Sequence, residues 1–343
     1  MIFGTGSKRV LWSLLAGLCV LTQGCAKPPP SQTEYVLGTV CSVNLYGRGS
    51  ARLYRNIFSR LREIEGRMSA NIEDTELERI NAQAGIAPVK VHEDLVEVLL
   101  RARYFAEISG GAFDPTIGPI VKLWNIGFDG ARLPSQEEID RALPLVNWRE
   151  LVIDQDAGTV FLARPGMRLD IGGIAKGYAA DEAVRLIRKA GIPRAIVDLG
   201  GNIFALGEKE GNLPWRVGIQ NPSGLRNDYL GILEVRNKTI VTSGVYERFL
   251  ELDGKTYHHI LSSRDGYPVE NGLVSVTIIA GRSIDADGLS TGIFAMGYER
   301  GRQRIESLDD AEALFVFADN TIRGTAGALE NFTLTDTAYS FGD

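Results

Sequence analysis

The chain has 343 residues, a net charge of −6 and an isoelectric point near 5.4, with ordinary apolar and charged shares. It has no Lys/Arg cluster, so it lacks the concentrated basic surface that nucleic-acid phosphates demand, and a nucleic-acid partner is excluded. Three cysteines, Cys19, Cys25 and Cys41, leave no room for a disulfide framework or a thiolate metal centre.

The N-terminus reads as a targeting segment. Lys8 and Arg9 precede an apolar run, Val10 to Leu21, that is too short to span a bilayer. Leu21-Thr22-Gln23-Gly24-Cys25 follows, and the expectation is a signal peptide over 1–24 that ends at a lipid-modified Cys25. Thr22 stands where such signals usually carry Leu, and an ordinary cleaved signal is the competing reading. Residues 25–34, with Pro28-Pro29-Pro30, would form a stiff tether, and 35–343 the folded domain. The expected location is the bacterial cell envelope, facing the periplasm from the inner or outer membrane.

Tyr35 to Tyr46 alternates apolar and polar residues as a half-buried strand does, which makes Cys41 a small buried residue. Leu53 to Arg67 carries apolar residues at helical spacing. Asp74 is the expected cap of a short helix at Thr75-Glu76-Leu77. His92 to Ser109 predicts an amphipathic helix, residues 134–143 another opened by Pro134-Ser135, and 151–162 a hairpin around Asp156-Ala157-Gly158. Tyr178 to Ala190 predicts a helix behind a glycine-rich turn. Strands are expected at 195–199, 215–220, 231–235, 239–242, 248–252, 273–280 and 313–317, and a helix over 285–296. Strands in runs with helices inserted predict an α+β fold, with mixed or antiparallel sheets flanked by helices. No internal repeat is present.

Walker, HExxH, CxxC and GxSxG motifs are missing, and His92, His258 and His259 are too few for a His-rich zinc site. Four segments carry chemistry. Leu169-Asp170-Ile171-Gly172-Gly173-Ile174-Ala175-Lys176-Gly177-Tyr178 runs from strand to glycine turn to helix, where backbone N–H groups and Lys176 can face an anion. A tight structural turn with a surface lysine fits the same spacing. Asp287 and Thr291 are four apart and share a helix face, a carboxylate and a hydroxyl suited to Mg²⁺. A helix cap from Asp285 or Asp287 is the alternative. Tyr257-His258-His259-Ile260 offers a base at neutral pH or a structural polar pair. Phe113-Asp114-Pro115-Thr116 makes a rigid turn whose carboxylate can accept from a heterocycle's N–H groups.

In order and content these segments resemble the ApbE family of FAD:protein FMN transferases. The resemblance runs from about Leu37 to the strand near 317. It is carried by Gly38-Thr39, Met68-Ser69 with Asp74-Thr75-Glu76-Leu77, Phe113-Asp114, the Gly172–Tyr178 turn, Asp198-Leu199-Gly200-Gly201-Asn202, His259-Ile260 and Asp287 with Thr291. It implies Mg²⁺ held by Asp287, Thr291 and the backbone carbonyl of Gly173. It implies FAD as substrate, bound by Leu37, Met68, Ser69, Ala70, Asn71, Asp114, Lys176, His259 and Ile260. His259 and Asp287 would be the catalytic residues. A Thr or Ser hydroxyl on an exported or membrane redox protein would receive FMN by a phosphoester bond, with AMP released. Two departures stand out: Leu37 where the family often has Met, and Ser262-Ser263-Arg264-Asp265-Gly266 where it commonly has Asp-Pro-x-Thr-Gly. The competing readings are a Mg²⁺-dependent FAD pyrophosphatase and a non-catalytic FAD-binding lipoprotein. The Asp287/Thr291 pair speaks against mere storage.

Overall fold

In the computed structural model, residues 31–47, 49–225 and 228–342 are described. The expected signal, Cys25 and the three prolines lie outside them. A nine-stranded sheet organises the chain, in the order Ser31–Val36, Thr39–Leu45, Ala195–Leu199, Asn202–Leu206, Lys238–Gly244, Leu273–Ala280, Ala311–Phe317, Thr321–Gly324 and Ser340–Phe341. All neighbours are antiparallel except the last pair. The α+β expectation holds.

Strand alternation sets up two cores. Ala313 and Phe315 join the larger cluster, which also gathers the helices Ala51–Met68, Ala175–Lys189 and Ser283–Met296. Leu314 and Val316 point the other way, onto Trp215, Leu233 and Phe332 of a three-stranded sheet. The main sheet is therefore sandwiched between a helical layer and a small sheet. A third cluster, around Ile120, Trp124, Ile139 and Leu261, lies with the hairpin Phe249–Leu252/Lys255–His258. Among the described residues, no helix is long and apolar enough to cross a membrane.

Local chemistry accounts for the main helices. Ala51–Met68 opens with the Ser50 side chain accepting from the Leu53 N–H, and buries Leu53, Tyr54, Ile57, Phe58, Leu61 and Ile64 at three- and four-residue spacing. Gln136–Ala142 starts in a capping box between Ser135 and Glu138.

Four expectations need correction. Residues 31–34 belong to the first strand, not to a tether. Tyr35–Tyr46 is not one strand but the greater part of a hairpin that turns at Leu37 (φ 58°) and Gly38 (φ 66°). Such a two-residue turn needs positive φ at both positions, and the period-2 pattern running through it hid the bend. Asp74 has φ 62° and caps nothing; Thr75 caps Glu76–Ala82 by accepting from Glu78 N–H at 3.1 Å. The helix placed at Tyr178 starts at Ala175, so Lys176 and Gly177 lie in its first turn.

Candidate active site

The site forms where the helices Ala175–Lys189 and Ser283–Met296 press together. A Cβ built on Gly177 would stand 2.7 Å from Asp287 Cβ and 2.3 Å from the Ser283 carbonyl oxygen, so only glycine permits the approach. The closeness lets the Gly177 N–H donate to Asp287 Oδ2 at 2.8 Å. Gly173 lies against the same helix one turn further along. A Cβ there would meet Thr291 Oγ1 at 3.0 Å and the Phe113 ring at 3.4 Å. Asp287 and Thr291 share one helix, as their spacing suggested, and Gly173 meets its face, as the resemblance implied; Asp287 does not cap its own helix.

Asp287 is almost fully buried, at 4% exposure. Burial raises its pKa, and the charge of Lys176, the Gly177 N–H and the Asn202 side chain act in the opposite direction. A buried carboxylate in that condition is under-compensated. Among the described residues, no three His, Cys, Asp or Glu side chains cluster as a metal site, so a cation here would meet one carboxylate and neutral oxygens. That donor set suits a hard cation such as Mg²⁺, which completes its shell with water and substrate phosphate.

Lys176 reaches toward the Gly172 carbonyl at 3.5 Å, and its charge is felt at Asp287, at His259 and at Cys41. It therefore sits among the predicted site segments. His259 follows the strand Lys255–His258 and is half-buried. Its Nδ1 lies 3.1 Å from the Arg248 carbonyl oxygen. A carbonyl only accepts, so Nδ1 carries the hydrogen and Nε2 keeps its lone pair. Desolvation, then the Arg248 charge, pushes the imidazole pKa down to about 3, which keeps it neutral. His258 does not share this role, since its Nε2 is engaged at 3.0 Å with the Val269 carbonyl and its Nδ1 accepts from Ile260 N–H. Ile260 is buried.

Asp114 is placed differently from its expectation as a heterocycle acceptor. Oδ1 accepts from Thr116 N–H at 2.8 Å and Thr116 Oγ1 at 2.6 Å, and Oδ2 from Trp148 N–H at 3.2 Å. Most of its acceptor capacity is spent inside the chain, and burial raises its pKa. It braces the wall that Phe113 presents to Gly173. The loop that departs from the family pattern joins this wall, since Ser263 Oγ donates to the Gly111 carbonyl at 2.5 Å.

The ApbE family model matches residues 37–315. The chain belongs to the ApbE family. An FAD:protein FMN transferase of Treponema pallidum is 42% identical over 326 residues, covering 90% of each chain. One from Klebsiella pneumoniae is 34% identical over 313 residues, covering 91% of this chain and 97% of its own. Among solved structures, the ApbE protein of Thermotoga maritima superposes with a TM-score of 0.80 at 31% identity, covering 88% of this chain and 98% of that one. The flavin transferase ApbE of Vibrio cholerae gives 0.78 at 28% identity over the same shares.

The other predicted positions of this ApbE chain lie at the turn of the first hairpin and at the end of the helix Ala51–Met68. Leu37 is half-buried at the first turn, where the Gly38 N–H donates to Glu65 at 3.1 Å. Thr39, beside that turn, packs so tightly on Gly200 that a Cβ there would be 2.3 Å from its Oγ1. Met68 is buried at the end of its helix, Ser69 caps that end, and Thr75 Oγ1 donates to the Ser69 carbonyl at 2.8 Å. Arg168 donates to the Ala70 carbonyl at 3.4 Å, tying the 68–71 segment to the stretch entering the glycine turn, which forms only an isolated bridge at Arg168 where a strand was expected; Asn71 is exposed.

Two polar residues near Asp287 and Thr291 were given no role in the sequence reading. Ser243, on Lys238–Gly244, donates to Ser290 Oγ at 2.9 Å and lies 3.5 Å from Thr291 Oγ1. Asn202 Oδ1 accepts from Ser283 Oγ at 2.5 Å while its side chain faces Asp287. The Gly200-Gly201-Asn202 motif was a signal for the second. Nothing in the sequence marks Ser243.

Proposed function

We propose that the chain is an FAD:protein FMN transferase that moves FMN from FAD to a Thr or Ser hydroxyl of an acceptor protein, releases AMP, and depends on Mg²⁺. The observation that carries this reading is the meeting of Gly173 with Thr291 and of Gly177 with Asp287, beside the Lys176 charge.

Asp287, Thr291 Oγ1 and the Gly173 carbonyl would hold Mg²⁺, which when bound supplies positive charge to the diphosphate of FAD. Lys176 stands in the first turn of its helix, where its charge and the helix dipole favour the same anion. His259, neutral with a free Nε2, accepts the proton of the acceptor hydroxyl as its oxygen attacks the FMN-side phosphorus. The P–O bond to the AMP-side phosphate breaks, and AMP takes that oxygen with its electron pair.

The signal-like start and Cys25 support a lipid anchor on the envelope, with acceptors among exported or membrane redox proteins. The test is incubation with FAD, Mg²⁺ and a Thr-containing acceptor, read by mass spectrometry. Acceptor gaining one FMN supports transfer. Free FMN with an unmodified acceptor supports pyrophosphatase action, and intact FAD supports binding alone.

A further inference from the structure

We infer that Asp181 is a positioning residue for the cation-binding face, holding the helix Ser283–Met296 from the helix Ala175–Lys189; the inference rests on the site proposed above. The helix Ser283–Met296 begins after Arg282 without a side-chain cap of its own. Its first N–H groups would then lack partners. Asp181 provides them from the neighbouring helix: Oδ1 accepts from Ser283 N–H at 2.8 Å and Oδ2 from Ile284 N–H at 3.0 Å. A negative charge at that end also suits the helix dipole.

The arrangement is reciprocal. Asp181 sends its carboxylate to the backbone of the partner helix, and one turn earlier Gly177 offers its N–H to the carboxylate of Asp287, which comes back from that helix. Two bridges of opposite direction fix both the slide and the rotation of one helix on the other. Rotation matters here, because each residue along a helix turns the side-chain direction by roughly 100°. A small turn of Ser283–Met296 would carry Asp287 and Thr291 away from Gly173. Ser283 is pinned a second time, with its Oγ against Asn202 and 2.9 Å from Thr239 Oγ1, so the first turn is the fixed point of the helix. Asp181 touches none of the proposed ligands, and its effect passes through the backbone.

The test compares wild type, Asp181→Ala, Asp181→Asn and Ser135→Ala, the last removing a helix cap remote from the site. Mn²⁺ binding to the FAD-loaded protein is read by electron paramagnetic resonance, and FAD affinity is measured without cation. The KM for Mg²⁺ and kcat at saturating Mg²⁺ are read with acceptor. Asp181→Ala is expected to weaken Mn²⁺ binding and raise the KM for Mg²⁺ by about 10-fold or more, the usual scale for lost outer-shell support, with kcat at saturation and cation-free FAD affinity nearly unchanged. Asp181→Asn, which keeps one acceptor oxygen, should fall between. Ser135→Ala should lower thermal stability without moving the KM for Mg²⁺. Unchanged Mn²⁺ affinity in Asp181→Ala overturns the inference, as does an equal loss of cation-free FAD affinity. If Asp181→Ala does not fold, unchanged Mn²⁺ affinity in Asp181→Asn overturns it instead. If wild type binds no Mn²⁺, or Asp287→Asn binds it equally well, the site reading itself fails and the inference falls with it.

Discussion

Asp287 accepts a hydrogen bond from the backbone N–H of Gly177, 110 residues earlier in the chain, at 2.8 Å, in a nearly dry setting where this bond, the Lys176 charge and the Asn202 side chain offset its burial only in part. Burial has lifted its pKa above that of an unfolded aspartate. Between those two values the native state holds a proton that the unfolded chain has released. Without cation, stability therefore falls as pH rises through that window and stays lowered above it.

Asp287→Asn should thus stabilise the metal-free protein at pH 7, by about 1–3 kcal/mol, because a neutral amide replaces a buried uncompensated charge. The gain should vanish below about pH 4, where the carboxylate is protonated in both states. Urea denaturation in EDTA at the two pH values measures it. The same substitution should abolish cation-dependent turnover. A metal-free variant no more stable than wild type would show that Asp287 is already compensated within the chain.

His259 gives a prediction of opposite sign. Its pKa lies at about 3, well below 6.5, so the imidazole remains a neutral acceptor across the physiological range. The rate of transfer should show no step near pH 6.5. His259→Ala should lower kcat by roughly 10²–10⁴, the span of general-base contributions, while FAD affinity changes little. Equal losses in both would make His259 a binding residue. Because the unfolded chain takes up a proton near 6.5 that the native site refuses, His259 also makes the fold lose stability as pH falls below that value. The alanine variant should lose part of this acid sensitivity.

The parts of the site that could be read along the chain are those whose chemistry is local. The glycine turn before Lys176 and the four-residue step from Asp287 to Thr291 are patterns within one element. Asp181 and Ser243 act through elements distant in sequence, and on a single strand or helix each resembles an ordinary polar residue. The bend at Leu37 was invisible for another reason: alternation continues in phase across it, and Leu is an uncommon residue at positive φ. Asp114 is held inside the chain by two donors of Thr116 in its own turn and by a third, the Trp148 N–H, from 34 residues away, and only the last was hidden from the sequence.

On helix propensity alone Gly288 weakens the helix that carries Asp287, since Gly in a helix interior costs about 1 kcal/mol relative to Ala. Packing reverses that expectation. A Cβ at Gly288 would stand 2.4 Å from the Phe105 ring, on the helix Glu93–Ile108. Overpacking of this kind costs about 1–3 kcal/mol, so Gly288→Ala should be net destabilising despite its better helix propensity. Chemical denaturation reads the sign directly. Phe105→Leu should recover part of the loss when combined with Gly288→Ala; a stabilised single variant would show that Phe105 moves aside freely.

Asp94 joins three helices beneath the site. Its carboxylate takes hydrogen bonds from Arg60 Nη2 and from the Tyr178 hydroxyl, each at 2.7 Å, and pairs with Arg67. Burial alone would raise its pKa, but the hydrogen bonds of Arg60 and Tyr178 and the two arginine charges outweigh that and hold it below the ordinary value. A depressed carboxylate adds stability that is present above its unfolded pKa and lost as pH falls through the folded value. Asp94→Asn leaves Arg67 without its carboxylate and Arg60 with only Glu182 and Glu63 as counter-charges, and should cost about 1–3 kcal/mol at pH 7. The difference from wild type should hold down to about pH 5 and shrink below pH 4. Urea denaturation at pH 7, 5 and 3 tests this. Tyr178 follows Lys176 by two residues in the same helix, so the loosened network should also weaken FAD binding while leaving the separate cluster around Trp124 intact. Full FAD affinity in a destabilised Asp94→Asn would mean that the network supports the fold alone and that the start of the Lys176 helix is held by its packing on Asp287 and Ser283.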